Sequence, residues 1–239
     1  MKSMLKHLFL LLQVCGALGA EAQRSESGCE VVVPLTDAQV RVDGKLDEPC
    51  YRAPSLVNRF IVAGQQNQRA PETKVWLFWQ RERLIFAFEC EDANIVAARP
   101  SSNKHDVDGQ DRVEVFLWSG RAEDAYYCAE IAAQGALHDY AARFYRRFDD
   151  AWSMPGLEYV SIRTPKGYAV EGIISRAGLE KMGFRLEGGA QWRIGLFRAD
   201  FASKDGKPDW ITWVDAKGPE PDFHVAKSFG QCLLGSDKQ

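Results

Sequence analysis

The chain has 239 residues, 46% hydrophobic and 26% charged, the composition of a globular protein long enough to bury a full core. A net charge of −3 without a lysine or arginine run excludes the basic field that nucleic acid or an anionic membrane surface requires. Its 6 cysteines show no C-x-x-C or C-x-x-C-H spacing, which argues against thioredoxin-like chemistry, a zinc ribbon and covalently attached haem.

A basic start (Lys2, Lys6), an apolar run from Leu8 to Leu12 and small residues ending in Ala20-Glu21-Ala22 predict a secretory signal peptide over residues 1–22. Cleavage is expected after Ala22 or Ala20; Gln13 and Val14 argue against lipidation at Cys15. The segment is too short for a permanent membrane span, so the mature chain is expected to be exported, periplasmic or extracellular. Residues 23–28 read as a linker, 29–235 as one domain and 236–239 as a tail. Removal of the leader leaves Cys29, Cys50, Cys90, Cys128 and Cys232, an odd set in which one or two disulfides are expected with the pairing open. For Cys90 and Cys128, inside apolar runs, the role of a small buried hydrophobe is favoured.

Cys29 to Leu35 predicts a first strand. Asp43-Gly44 predicts a tight turn, after which Asp47 is expected to cap a single helical turn carrying Tyr51. Leu56 to Ala63 reads as a moderate strand. The stretch Thr73 to Asp92 then alternates as two strands around a charged turn, apolar on both faces, and predicts a hairpin lying centrally in a β-sandwich. A long polar loop, Ala93 to Gln110, follows, and loops of that length in a compact domain are usually functional. Arg112 to Trp118 is an alternating strand; Tyr126 to Ala132 with Leu137 to Phe144 is a second hairpin; Arg143 to Asp150 opens an exposed loop. Glu158 to Arg163 and Tyr168 to Ile174 form a third hairpin, and Ser175 caps a short helix ended by Gly183. Strands at Trp192 to Phe201, Ile211 to Trp213 and Phe229 to Leu234 complete an all-β class, one antiparallel sandwich of jelly-roll or immunoglobulin-like type with one short helix.

Six motifs, VDGKLDEPCY, FECED, QDRVEVFLW, YYCAEIAAQGALHDY, WRIGLFRADF and DFHVAKSFGQCLL, resemble in order and spacing the family 9 carbohydrate-binding modules and their stand-alone exported relatives. The resemblance implies a β-sandwich that binds poly- or oligosaccharide without catalysis, carries structural calcium and serves alongside a partner glycoside hydrolase. It also implies two tryptophans clamping the sugar, at positions that here hold Asp108 and Phe223, and an arginine at the position of Cys128. Asp92 falls where the family suggests a calcium ligand.

The residues support two sites. Asp92, Asp106, Asp108 and Asp111 flank one long loop, and oxygen ligands of this kind suit calcium. Phe223 and His224, in a loop with prolines at 219 and 221, place an aromatic plane beside a polar group as a pyranose requires, with Asp108, Gln110, Glu130 and Trp213 expected to complete the sugar site. The alternative is that Phe223 enters the core and His224 caps the sheet. A glycosidase pair from Asp111 with Glu130 or Glu171 is disfavoured, as is a serine hydrolase, which lacks its motif. Two further readings are a structural or interaction module with a decayed sugar site, and a haem-binding electron-transfer relative using Met154 or Met182 with one of His105, His138 and His224.

Overall fold

The structure, a computed structural model, describes residues 29–236 apart from 66, 67 and 219. The expected signal peptide with Cys15, the linker 23–28, residues 237–239 of the tail and Pro219 lie outside the described residues.

Among the described residues, alternation of apolar and polar residues at period two and fully apolar runs produce 13 strands in two sheets. The smaller sheet has the order β3 (Thr73–Gln80), β4 (Arg83–Glu91), β10 (Gly167–Ser175), β9 (Leu157–Thr164). The larger runs β1 (Glu30–Val33), β13 (Gly230–Leu234), β11 (Gln191–Phe201), β5 (Arg112–Trp118), β6 (Tyr126–Ala132), β7 (Leu137–Arg143), β8 (Arg147–Asp149). The long strand β11 pairs with β5 along one edge. Along its other edge it pairs first with β13 and then with β12 (Pro208–Thr212), which carries the two-residue β2 (Ile61–Val62). The β1–β13 pair is parallel, a departure from the purely antiparallel expectation.

The sheets pack face to face over a core that includes Val75, Leu77, Trp79, Phe86, Phe88, Val113, Val115, Leu117, Ile194 and Leu196. Gly172 is required here, since a Cβ at that position would lie 2.3 Å from the Phe86 ring. Both faces of the β3–β4 hairpin are buried as its pattern predicts, but β4 alone is interior. β3 is an edge strand, flanked by single bridges from Leu35 and Val57. Its outer apolar face, Trp76 and Phe78 with Ile85 and Ile173, is covered by the segment holding Val40 and Tyr51.

Several local expectations are corrected. Asp47 does not cap the turn at Tyr51; Glu48 occupies the cap position of a 3-10 helix, Pro49–Arg52, and its carboxylate accepts from the Arg41 N–H instead. The strand expected over 56–63 shortens to β2, the exposed loop after Arg143 forms β8, and the five cysteines from Cys29 to Cys232 are free thiols. Ser175 does cap the helix α1 (Arg176–Lys181), accepting from the Gly178 N–H at 3.2 Å. Among the described residues no helix is long and apolar enough to cross a membrane.

The covering segment is fixed by one buried carboxylate. Glu171 on β10 accepts from Asp43 N–H (2.9 Å), Gly44 N–H (3.0 Å) and Tyr51 Oη (2.8 Å), and Gly44 reaches the turn with φ of 80°. Removing the carboxylate strands buried donors, so Glu171→Ala is expected to lower stability by about 3 kcal/mol in urea unfolding. Tyr51→Phe, which loses one donor, should cost about 1 kcal/mol.

Candidate binding site

The outer face of the larger sheet is partly covered by the segments 144–153 and 213–229, and beneath them lies a cavity of about 330 Å³. This is at the lower end of the range for small-ligand sites, roughly 300–1,000 Å³. Strand register builds its floor. Phe197, Glu114, Glu130 and His138 face one another in a row across β11, β5, β6 and β7, because directly paired residues point to the same side of a sheet. Arg112, two residues before Glu114, shares that face. Its Nε lies 2.9 Å from Glu114 and 2.7 Å from Glu130, while Nη1 donates to the Asp108 carbonyl at 3.0 Å. Tyr140 Oη donates to Glu130 at 2.6 Å. The guanidinium also sits 5.5 Å from the Trp210 ring centre.

One arginine therefore stands against two buried carboxylates. Burial, with Glu130 adding repulsion, pushes the Glu114 carboxyl up to about 8 despite Arg112. His224 is pushed down to about 4 by burial and then by Arg146, so its imidazole is neutral at pH 7, with Nδ1 3.1 Å from Tyr126 Oη.

The residues expected in the sugar site are dispersed. Asp108, Glu130, Phe223 and His224 line the cavity. Phe223, however, is only 6% exposed and lies flat on Phe197, with ring centres 4.1 Å apart. Gln110 is buried beside the cavity, donating to the Asp106 carbonyl and accepting from Ala98 N–H, and Trp213 packs against the inter-sheet core. The aromatic rings left open on the cavity are Trp210 and Phe148, the latter 42% exposed. Their signal in the sequence was weak: Phe148 is one of several aromatics in a stretch read as an exposed loop, and Trp210 directly precedes the expected strand at Ile211.

The four acids of the expected calcium set also part. Asp106 accepts from Ser101 and Asn103, and Asp108 belongs to the cavity rim. Asp92 and Asp111 do meet, joined by Asp200, which the sequence reading missed. Both Asp111 oxygens accept backbone N–H groups, from Val96 at 2.5 Å and Phe201 at 2.6 Å, and burial pushes its carboxyl up to about 7. Asp92 Oδ2 is buried with no hydrogen-bond partner; the Arg198 guanidinium lies 3.4 Å away and 3.0 Å from Asp200. A buried carboxylate oxygen that accepts no hydrogen bond, beside two further acids, is a donor set that a calcium ion fits. This cluster opens on a second cleft of about 890 Å³, larger than the first but with the buried Phe201 as its aromatic lining.

The alternative chemistries are not assembled. Glu130 lies in the cavity, Asp111 at the end of the sheet and Glu171 on the far face of the other sheet, so the structure does not bring together the glycosidase pairs that the sequence disfavoured. Met154 and Met182 are in the inter-sheet core, whereas His138 and His224 are in the cavity on the opposite face, so the haem reading finds no ligand pair.

The raised Glu114 carboxyl has a defined consequence. A folded-state value above the unfolded one gives stability that is present below about pH 4.5 and is lost as pH rises toward about 8. Glu114→Gln cannot lose that proton, so its stability relative to the parent should rise across this window in urea titrations repeated at several pH values.

Comparison with known proteins agrees with this architecture. No curated protein matches the sequence. A family 9 carbohydrate-binding module from Caldicellulosiruptor kristjanssonii in complex with glucose superposes with a TM-score of 0.64 at 16% identity, covering 88% of this chain and 98% of that one. The same module with cellotriose gives 0.63 at 16% identity over 88% and 96%. A protein from Bacteroides uniformis gives 0.63 at 15% identity over 86% and 98%. At these identities the likeness establishes the fold. Residues 42–237 match the family described as carbohydrate family 9 binding domain-like, and the chain belongs to that family.

Proposed function

We propose that this chain is an exported, non-catalytic module that binds poly- or oligosaccharide in the cavity on the outer face of its larger sheet. The observation that carries this reading is the pairing of open aromatic rings, Trp210 and Phe148, with a fixed polar floor of Arg112, Glu130 and Tyr140. A pyranose has apolar C–H faces and a hydroxyl rim, and this wall and floor complement both. Arg112 and the Tyr140 hydroxyl hold Glu130 in place, so its carboxylate is positioned to accept from a sugar hydroxyl. The family membership supports the same class, and the neighbours bound to glucose and cellotriose make β-linked glucose units the first ligands to try. Export rests on the residues at the start of the chain, and service beside a glycoside hydrolase on the family resemblance alone.

Calorimetry with glucose and cellotriose tests the reading. Weak binding is expected, a Kd of about 0.1 to 1 mM or about 4 to 5.5 kcal/mol. Trp210→Ala and Phe148→Ala should each weaken it by about tenfold with the fold intact. Phe223→Ala should instead destabilise the protein by about 3 to 5 kcal/mol, because that ring is packed rather than open. A parent protein that binds no glycan on an array would leave the interaction-module reading in its place.

The same proposal includes a structural calcium ion at Asp92, Asp111 and Asp200, motivated by the clustering of the three acids and the buried Asp92 oxygen that accepts no hydrogen bond. An ion bound only to the folded state stabilises it by mass action, so EDTA should lower the melting temperature and Asp92→Ala should abolish that response. An EDTA-insensitive melt in the parent would remove the ion.

A further inference from the structure

Four side chains at the cavity rim form an arrangement that sugar binding does not require. His105 and Asp108 come from the short 3-10 helix Lys104–Val107 and its C-terminal cap, His138 from β7, and Asp150 from the residue after β8. Asp108 accepts through its two oxygens from both imidazoles at their Nδ1 atoms, 3.0 Å from His138 and 3.1 Å from His105. The Nε2 atoms therefore turn away from Asp108 and toward Asp150, at 3.3 Å for His138 and 3.9 Å for His105. The rings lie 4.6 Å apart, and His105, His138 and Asp150 can each direct one ligand atom at a common point.

We propose that His105, His138 and Asp150 form a binding site for a zinc-class divalent cation, with Asp108 as the positioning carboxylate of both imidazoles. Three features carry this. First, a carboxylate on Nδ1 fixes the tautomer and ring direction of a histidine whose Nε2 binds a metal, and here one carboxylate does this for two histidines. Second, the contacts on the Nδ1 side, at 3.0 and 3.1 Å, are shorter than those on the Nε2 side. Ligands about 2.1 Å from a tetrahedral ion stand about 3.4 Å from one another, and the nearest Asp150 oxygens lie on either side of that value, Oδ1 at 3.3 Å from His138 Nε2 and Oδ2 at 3.9 Å from His105 Nε2. Third, the parts are held together before any ion arrives. Lys104 Nζ bonds the Asp139 carboxylate at 2.6 Å and the Trp152 carbonyl at 2.8 Å, tying the turn that carries His105 to β7 and to the loop that carries Asp150.

The donor set selects the class of ion. Two imidazole nitrogens suit zinc, nickel or copper, whereas calcium and magnesium take oxygen ligands. Three protein ligands leave a fourth tetrahedral position, and all four residues line the cavity, so that position is open to an oxygen ligand there. The competing arrangement is a plain ion-pair quartet of two charged imidazoles and two carboxylates, which needs no metal.

The experiment uses the untagged full exported chain, stripped with EDTA, dialysed and titrated with zinc sulfate in the absence of sugar, so that its outcome is independent of glycan binding. One equivalent is expected to bind, with a rise in melting temperature, and cobalt substituted for zinc should give the visible absorption of a tetrahedral site. His105 and Asp150 are about half exposed, so His105→Ala and Asp150→Ala should fold, and each should weaken zinc binding by tenfold or more. Asp108→Asn, which keeps the shape but loses the charge on both Nδ1 atoms, should weaken it by about 10- to 100-fold. Calcium at the same concentration should not compete. Absence of a saturable zinc isotherm, or full retention of it by both His105→Ala and Asp150→Ala, would leave the quartet as ion pairs and overturn the proposal.

Discussion

Both sheets carry apolar side chains on both faces, and a two-sheet sandwich has only one interior in which to hide them. Water is excluded from the second face of each sheet by chain that is not itself sheet. Over β3, β4 and β10 the cover is the stretch from Val40 to Tyr51. Over β5, β6, β7 and β11 it is the segments before and after the helix, bringing Phe144, Phe223 and Phe229 onto Phe116, Tyr126 and Phe197. This constraint sets the length of the loops and decides which become part of the fold.

The covers differ in what they meet. The smaller sheet offers a single buried carboxylate, Glu171, and three donors from the cover satisfy it, so that layer closes. The larger sheet offers Arg112, Glu114, Glu130 and His138 beside its aromatic cluster, more charge than an apolar cover can meet. The cover over that region stays open as a cavity. Charges buried at one end of a sheet face must find partners from the same face, which is why Arg112 is shared by two carboxylates rather than paired with one. The same economy appears between the sheets, where fully buried Arg198 faces Asp92 and Asp200.

The cavity's polar and aromatic groups sit where strand register meets covering loops. Register places Glu114, Glu130 and His138 in line; the loops supply His105, Asp108, Asp150, Phe148 and His224 around them. Rigid strands fix the floor and adaptable connections fix the wall, the usual division of labour in β-sandwich binding sites. The position where relatives of this family are implied to carry a clamping tryptophan holds Asp108. Its contacts run to two histidines rather than to a flat ring partner, so this corner of the cavity has become polar.

Twelve of the described strands were readable from the residues alone, β2 within a longer expected run, because apolar or alternating runs bounded by turn residues mark them. β8 is too short for a pattern and forms because β7 lies beside it, while β2 keeps only the part of its expected run that pairs with β12. The Asp47 cap misled for a related reason: the fold puts Glu48 rather than Asp47 at the cap position, and the Glu48 carboxylate accepts from the Arg41 N–H seven residues earlier. Of the site, the sequence itself determined the chemical types, with Glu130, His224, Asp108, Asp92 and Asp111 marked by charge or aromaticity in the right stretches. Tertiary structure decided the groupings. Asp200 reaches Asp92 across more than a hundred residues, Phe223 turns flat onto Phe197 while Trp210 and Phe148 stay open, and His105 finds His138 only once the turn at Lys104 docks on β7. Local propensity acts over a few residues and burial acts over the whole chain, so residue identity was legible in sequence and adjacency was not.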